Sequence, residues 1–379
     1  MNTLLAATAE TGSDRALRPG GAPPLRRAGP TLLGVGTAVP ARSYTQEEVL
    51  DFFGITDERV RSVFANSAID RRCLTLPPRD QLGRPHIETQ GELLRKHASQ
   101  GIVMAADALR CCLTAAGLSL DDIDYLCCVS STGLLTPGLS ALLMTHLGLA
   151  IDTSRLDVVG MGCNAGLNAL NAVAGWSTAN PGRTAVMVCV EVCSAAYVFD
   201  GTMRTSVVNS LFGDGAAAVA LTTGPANATG PRQGPELLRF TSHLIPEACP
   251  AMRYDWDDTA GKFSFFLDRD VPYVVGANAE AAIDRLLTGT GLRRSDLAHW
   301  AVHSGGKKVI DSVQVNLGLS RHDLRHTTGV LRDFGNVSSG SFLFSYDRLM
   351  REGVTRPGDH GVFMTMGPGS SIETALVRF

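Results

Sequence analysis

The stretch VVGMGCNAGLNALNAVAGW, residues 158–176, sets Cys163 between Gly162 and Asn164, just ahead of an alanine- and leucine-rich run with helical spacing. A cysteine at a helix head is a candidate nucleophile. The helix start carries partial positive charge and unpaired N–H groups, which favour a thiolate and lower its pKa. Flanking glycines let a substrate approach the sulfur, and a nearby imidazole activates it further. The competing reading is a buried structural cysteine. His303 is the second candidate. It ends the apolar run in WAVHSGG (300–306) and precedes Ser304, Gly305 and Gly306; strand ends in α/β folds are where chemistry sits. A core histidine bonded to backbone is the plainer alternative. Asn336, in FGNVSSG (334–340), is a neutral donor able to hold a developing oxyanion, and equally suited to capping a helix. The other eight histidines lack a glycine-rich setting. His322 and His326 stand four apart with no third ligand, so they read as surface residues and no metal site is expected.

Elements must bring these side chains together, and the sequence repeats itself in a way that does so. AGLSLDDIDYLCCVSSTG (116–133) overlays TGLRRSDLAHWAVHSGG (290–306) with Gly117 on Gly291 and Asp122 on Asp296. GCNAG from Gly162 overlays GNVSSG from Gly335, which makes Cys163 and Asn336 equivalent, each opening a helical run (Leu167–Trp176 and Phe342–Met350). FGDGAAAVAL (212–221) and MGPGSSIETAL (366–376) close the two copies. The expected organisation is a tail over residues 1–30, which reads as disordered, then two halves, 31–230 and 235–379. Each half alternates strands and helices, hence a layered α/β unit with a mixed sheet. A pocket between such halves gathers Cys163, His303 and Asn336.

Composition narrows the class. The 379 residues are 44% hydrophobic and 19% charged, with a net charge of −3. That is globular and gives no reason to expect nucleic acid. Nine cysteines, with no CxxC and two adjacent pairs (Cys111–Cys112 and Cys127–Cys128), point to buried thiols in a reducing, cytoplasmic setting. The most apolar region, 125–151, is broken by Ser130, Ser131, Thr132, Pro137 and Gly138, so no membrane span is expected. Phosphate-loop, HExxH and GxSxG patterns are absent, and LLGVGTAVP (32–40) lacks the third glycine of a dinucleotide site.

In order and spacing, GVGTAVP, GCNAG, SLFGDGAAA, DVP (270–272), HSGG, FGNVSSG and GPGSSIETAL resemble the thiolase superfamily. Within it they resemble the type III polyketide synthases, which include chalcone synthase, over about residues 30–379. The resemblance implies a thiolase-like layered αβαβα fold of two duplicated halves. It makes Cys163 the nucleophile that holds the growing chain as a thioester. His303 and Asn336 then hold the malonyl thioester carbonyl, promote decarboxylation and stabilise the enolate, with His303 keeping the sulfur ionised. Asn336 in the third role separates this chemistry from thiolases, which use a second cysteine, and from hydroxymethylglutaryl-CoA synthases, which use a glutamate.

The resemblance further places Phe212 and Phe265 at the junction of cavity and CoA tunnel, with Phe266 an alternative register for the second. It places Cys193 and Ala196 where plant enzymes carry cavity-shaping threonines, and Thr132, Gly305 and Ser338 beside the substrate. Arg59, Arg61 and Lys308 become candidates for CoA, although solvated charges are an equal reading. GCNAGLNALNAVAGWSTANPGR and HSGGKKVIDSVQVNLGLS look like bacterial members that serve glycopeptide antibiotic synthesis. That likeness implies malonyl-CoA as starter and extender, four units closed by aldol reaction and dehydration to an aromatic acyl-CoA, a homodimer, and no cofactor. The alternatives are a type III synthase with another product, a ketoacyl synthase taking acyl carrier protein, and a thiol-reactive binding protein on the same fold.

Overall fold

The computed structural model describes Pro23, Leu25 and residues 29–196, 201–224 and 234–379. Most of the expected tail, and the end of the first half, lie outside the described residues.

Thirteen strands are described: β1 Thr31–Ala38, β2 Ser43–Thr45, β3 Arg71–Cys73, β4 Tyr125–Ser130, β5 Ser154–Val159, β6 Thr184–Glu191, β7 Gly215–Thr222, β8 Glu236–Leu244, β9 Met252–Asp257, β10 Lys262–Leu267, β11 Leu297–Val302, β12 His360–Gly367 and β13 Ser371–Arg378. The described α-helices are α1 Gln46–Phe52, α2 Glu58–Ala65, α3 Gln90–Ala116, α4 Leu139–Leu147, α5 Ala165–Ala179, α6 Met203–Leu211, α7 Val271–Leu287, α8 Lys307–Leu317, α9 Arg325–Phe334 and α10 Ser341–Glu352.

Nine strands form one sheet in the order β11-β12-β13-β8-β1-β7-β6-β4-β5. From the β1–β8 joint outward, one side runs β1, β7, β6, β4 and the other β8, β13, β12, β11, each with two antiparallel pairings followed by one parallel pairing. The order mirrors itself as a duplication requires. β5 alone extends the first half and has no counterpart in the second.

Helix positions turn this sheet into layers. α5 packs on β4, β6 and β7 of its own half and on β12 and β13 of the other, while α10 packs on β11 and β12 and also on β1 and β7. α3 covers the outer face of β1, β6 and β7, and α7 covers β8 and β13. The result is α3, first-half strands, α5 with α10, second-half strands, α7: the expected αβαβα arrangement. Strands covered on both faces read as continuous apolar runs, and all eight residues of β7 (GAAAVALT) are buried. Small residues let the helices come close. A Cβ on Gly36 of β1 would lie 2.3 Å from the Cys112 nitrogen of α3.

The ends of α3 follow from its sequence. Thr89 and Glu92 form a capping box, and Gly117 closes the helix at φ 66°. All nine cysteines are free, and Cys112, Cys127 and Cys128 are buried as expected. Cys111 corrects the expectation for its pair, because it lies on the exposed side of α3.

The helix starts also correct the register of the repeat. Each central helix follows a 3-10 turn, Gly162–Asn164 before α5 and Ser338–Gly340 before α10. These starts align Cys163 with Ser339, and Gly162 (φ 79°) with Ser338 (φ 49°). The sequence match had paired Gly162 with Gly335. Gly335 is the C-cap of α9, at φ 73°. Asn336 therefore lies on the connection before the turn and is not the counterpart of Cys163.

Candidate active site

The nucleophile loop is held from both halves. Gly162 donates its N–H to Ser131 Oγ at 2.7 Å. A Cβ at Gly162 would sit 2.3 Å from the Pro368 ring, and its φ is 79°, so only glycine fits there. Asn164 donates to Ser371 Oγ at 2.5 Å. Cys163 is buried, with Sγ 3.6 Å from Ser338 Oγ. Burial pushes its thiol up to about 12, hydrogen bonds from Ser338 and Asn336 pull it partly back, and the negative field of Glu191 adds to burial.

His303 is fixed by its own N–H to Met364 O at 2.8 Å and by a short hydrogen bond between Nδ1 and Ser341 Oγ at the head of α10. Nε2 is the ring atom left for the site. Glycine at 305 keeps its flank clear, since a Cβ there would lie 3.2 Å from Nε2. Burial pulls the imidazole down to about 3. Burial disfavours the charged form of each side chain taken alone, against the lowered thiolate pKa that a helix head favours.

Asn336 is placed by backbone. Its N–H donates to Leu211 O at 2.8 Å, and its carbonyl accepts from Gly213 N at 3.0 Å. Oδ1 accepts from Ser338 N at 2.8 Å. That fixes the amide so that Nδ2 is the outward donor; its contact to Gly305 O is long, at 3.5 Å. The positive φ of Ser338 lets one residue bond Asn336 and touch Cys163. Cys163, Ser338 and Asn336 form one connected group, and Asn336 Nδ2 joins it to Gly305, two residues after His303.

The aromatic pair comes together in the expected register. Phe212 and Phe265 meet edge to face at 6.1 Å between ring centroids, whereas Phe266 lies under Arg253 at 4.2 Å. Phe212 also bridges Asn336 in parallel strand fashion. Cys193 and Phe212 line a cavity of about 440 Å³, and Ala196 and Phe265 line a neighbouring one of about 80 Å³.

Thr132 Oγ1 bonds His97 Nδ1 at 3.2 Å and accepts Val192 N–H at 2.9 Å within the core. Ser131, one residue earlier, braces the nucleophile loop: its N–H meets Glu191 at 3.0 Å, its hydroxyl holds Gly162, and its carbonyl accepts the Tyr254 hydroxyl at 3.2 Å.

The candidate CoA cations divide. Arg61 pairs with Glu47 and Asp51 and donates to Ile55 O at 2.9 Å, so it braces α1 and α2. Arg59 and Lys308 are exposed and make no ion pair among the described residues. His322 is exposed as expected, but His326 is half-buried against Glu352 at 2.8 Å. Among the described residues no group of three or more His, Cys, Asp or Glu is placed to hold a metal, and no helix is long and apolar enough to cross a membrane.

Two buried ionisable groups escaped the sequence reading. Glu191 is held by Ser131 N–H and the Ser339 hydroxyl, and burial pushes it up to about 7. Arg72 donates to Asn209 O at 2.6 Å, Phe212 O at 2.7 Å and Gln46 Oε1 at 2.9 Å. For Glu191 the signal was available: it ends the apolar strand TAVMVCVE beside the cavity segment. For Arg72 there was none, because it is one of two adjacent arginines and only its neighbour is exposed.

Comparison with known proteins agrees with this arrangement. The family profile of chalcone and stilbene synthases matches the chain twice, its N-terminal domain at residues 24–225 and its C-terminal domain at 237–379. The chain is 67% identical over 351 residues to a 3,5-dihydroxyphenylacetyl-CoA synthase of Streptomyces toyocaensis, covering 92% of this chain and 90% of the relative. It is 64% identical to the protein of the same name from Amycolatopsis balhimycina, covering 91% and 92%. The crystal structure of 1,3,6,8-tetrahydroxynaphthalene synthase from Streptomyces coelicolor, a bacterial type III polyketide synthase, superposes with a TM-score of 0.82 at 28% identity, covering 92% of this chain and 99% of that one. Both halves of the chain are matched. The protein belongs to the chalcone and stilbene synthase family, the type III polyketide synthases.

Proposed function

We propose that this protein condenses four malonyl-CoA units and closes the tetraketide to 3,5-dihydroxyphenylacetyl-CoA. The class of reaction, decarboxylative acyl transfer, follows from the family. The product is inferred from relatives at 67% and 64% identity that bear its name. What supports the mechanism is the run of contacts from Cys163 to Ser338, Asn336 and Gly305, two residues after His303, with Cys163, His303 and Asn336 all buried.

The geometry supports these steps. Attack of Cys163 on a malonyl thioester requires the thiol proton to leave, and His303 offers Nε2 for that proton. The proton then passes to the departing CoA thiolate. Ser341 is a hydroxyl and can accept from Nδ1 or donate to it, so either imidazole tautomer is satisfied. With the proton on Nε2, His303 and Asn336 Nδ2 both donate to the carbonyl oxygen of a second malonyl thioester. Carbon dioxide leaves, and the enolate oxygen keeps the two donors. The enolate carbon attacks the Cys163 thioester, forming the new carbon–carbon bond and releasing the sulfur. Buried donors suit this role, because they meet developing charge where little water competes.

The experiment is incubation of the purified protein with malonyl-CoA alone and mass spectrometry of the products. A dihydroxyphenylacetyl thioester is expected. Product formed only with an aromatic starter, or only with carrier-bound malonate, contradicts the reading.

A further inference from the structure

Ser371, Glu373, Ala375 and Val377 alternate onto one face of β13. Ala375 and Val377 join the apolar cluster that holds Ala165 and Leu167 of α5, so a carboxylate on that face costs stability unless its partners are in place. The first half has none there. On β7 the inward residues are Ala217, Val219 and Leu221, clustered with Phe342 and Leu343 of α10. Glu373 is buried, and its bonds come from neutral groups. Ser371 donates to Oε1 at 3.0 Å, Ser242 on the facing strand donates to Oε2, and Asn168 adds a third bond. Two of these partners lead to Asn164, the residue after Cys163. Ser371 Oγ accepts from Asn164 Nδ2 at 2.5 Å, and Asn168 Nδ2 donates to Asn164 O at 3.2 Å. Asn164 Oδ1 has no hydrogen-bond partner among the described residues, and a Cβ on Gly367 would lie 2.7 Å from it. The Asn164 amide is therefore held through Nδ2. On the other side of Cys163, Gly162 lies against the Pro368 ring. The β12–β13 turn and the start of β13 thus grip both neighbours of the nucleophile.

A carboxylate only accepts hydrogen bonds. Ser371 therefore gives its single proton to Glu373 and keeps its lone pairs for Asn164 Nδ2. Without the carboxylate that proton is free, and the unpaired Oδ1 of Asn164 can swing round to take it. We propose that Glu373 is a positioning residue for the nucleophile: through Ser371 and Asn168 it fixes the side chain and carbonyl of Asn164, and so the place of Cys163 in the site. The inference rests on Cys163 acting as the function proposed above requires. It gives the second half a further task, that of setting the sulfur on which the chain is carried.

The test separates two steps. Acylation of Cys163 by radiolabelled malonyl-CoA is followed in a single turnover for the parent, Ser371→Ala, Ser371→Thr and Glu373→Met. Carbon dioxide release from malonyl-CoA is followed for the same three changes in a Cys163→Ala background, where no thiol is involved. A nucleophile held out of place loses rate steeply. Ser371→Ala is expected to slow acylation at least about fivefold and Glu373→Met at least about tenfold, with carbon dioxide release within about twofold of the background enzyme. Ser371→Thr keeps the hydroxyl and is expected to acylate within about twofold of the parent. The serine pair decides the matter if Glu373→Met does not fold. Acylation unchanged in Ser371→Ala overturns the inference. So does an equal fall in acylation and carbon dioxide release, which would make the chain of bonds a general brace of the fold. A parent that malonyl-CoA does not acylate, or a Cys163→Ala enzyme that releases no carbon dioxide, overturns the function proposed above, and this inference with it.

Discussion

The two central helices begin alike and serve different ends. Each follows a 3-10 turn whose first residue has positive φ, Gly162 at 79° and Ser338 at 49°. In the first half that turn lifts Cys163 into the site. In the second half the aligned residue, Ser339, turns back to hold Glu191. The second-half residues proposed for the chemistry lie ahead of the turn, His303 at the end of β11 and Asn336 just after the α9 cap. The duplicated frame thus supplies two similar platforms, and the connections before them supply the different reactive groups.

Breaking the second-half side has the largest expected effect. Asn336→Ala removes an oxyanion donor and is expected to slow malonyl-CoA decarboxylation about a hundredfold, with a smaller effect on Cys163 acylation. Stopped-flow and single-turnover labelling separate the two steps, and equal losses would place Asn336 outside the enolate role. Next comes an exchange between the two turns. Gly162→Ser places a side chain at φ 79° and against the Pro368 ring, and should cost about 2–4 kcal/mol in denaturant unfolding. Ser338→Gly relieves a strained residue while adding a flexible one, so stability should stay within about 1 kcal/mol of the parent. Comparable losses from both would mean that the turns are not equivalent.

The smallest effect concerns protons. Burial holds His303 at about 3, below its ordinary value of 6.5, so its contribution to stability is present above 6.5 and lost as pH falls. Burial holds Glu191 at about 7, above its ordinary 4.5, so its contribution is present at acid pH and lost as pH rises through 7. Between pH 4.5 and 6.5 the two oppose. Glu191→Gln should steepen the acid-side fall in the denaturant midpoint, and His303→Gln should flatten it.

Much of this was legible in the sequence because the repeat carries its own punctuation. Gly117 and Gly291, followed by the short acidic turns at Asp122 and Asp296, mark the same helix-to-strand passage in each half. Layering followed from that alternation, and Cys163, His303 and Asn336 stood out by their glycine frames. What depended on three-dimensional register was not legible. Gly162 and Gly335 look alike in sequence, yet one opens a turn and the other caps a helix. Thr132 and Ser131 are adjacent and similar, and only the folded loop decides which of them holds Gly162. The burial of Cys163 was hidden as well, since helix-head arguments favour a thiolate and burial acts against them.

The central claim is that one half holds the chain and the other makes the carbanion. Carbon dioxide release from malonyl-CoA by Cys163→Ala tests it most directly. The account predicts that this variant still decarboxylates malonyl-CoA while forming no condensed product, and that decarboxylation disappears when Asn336→Ala is added. A Cys163→Ala enzyme unable to release carbon dioxide, or one still forming condensed product, would contradict that division of labour.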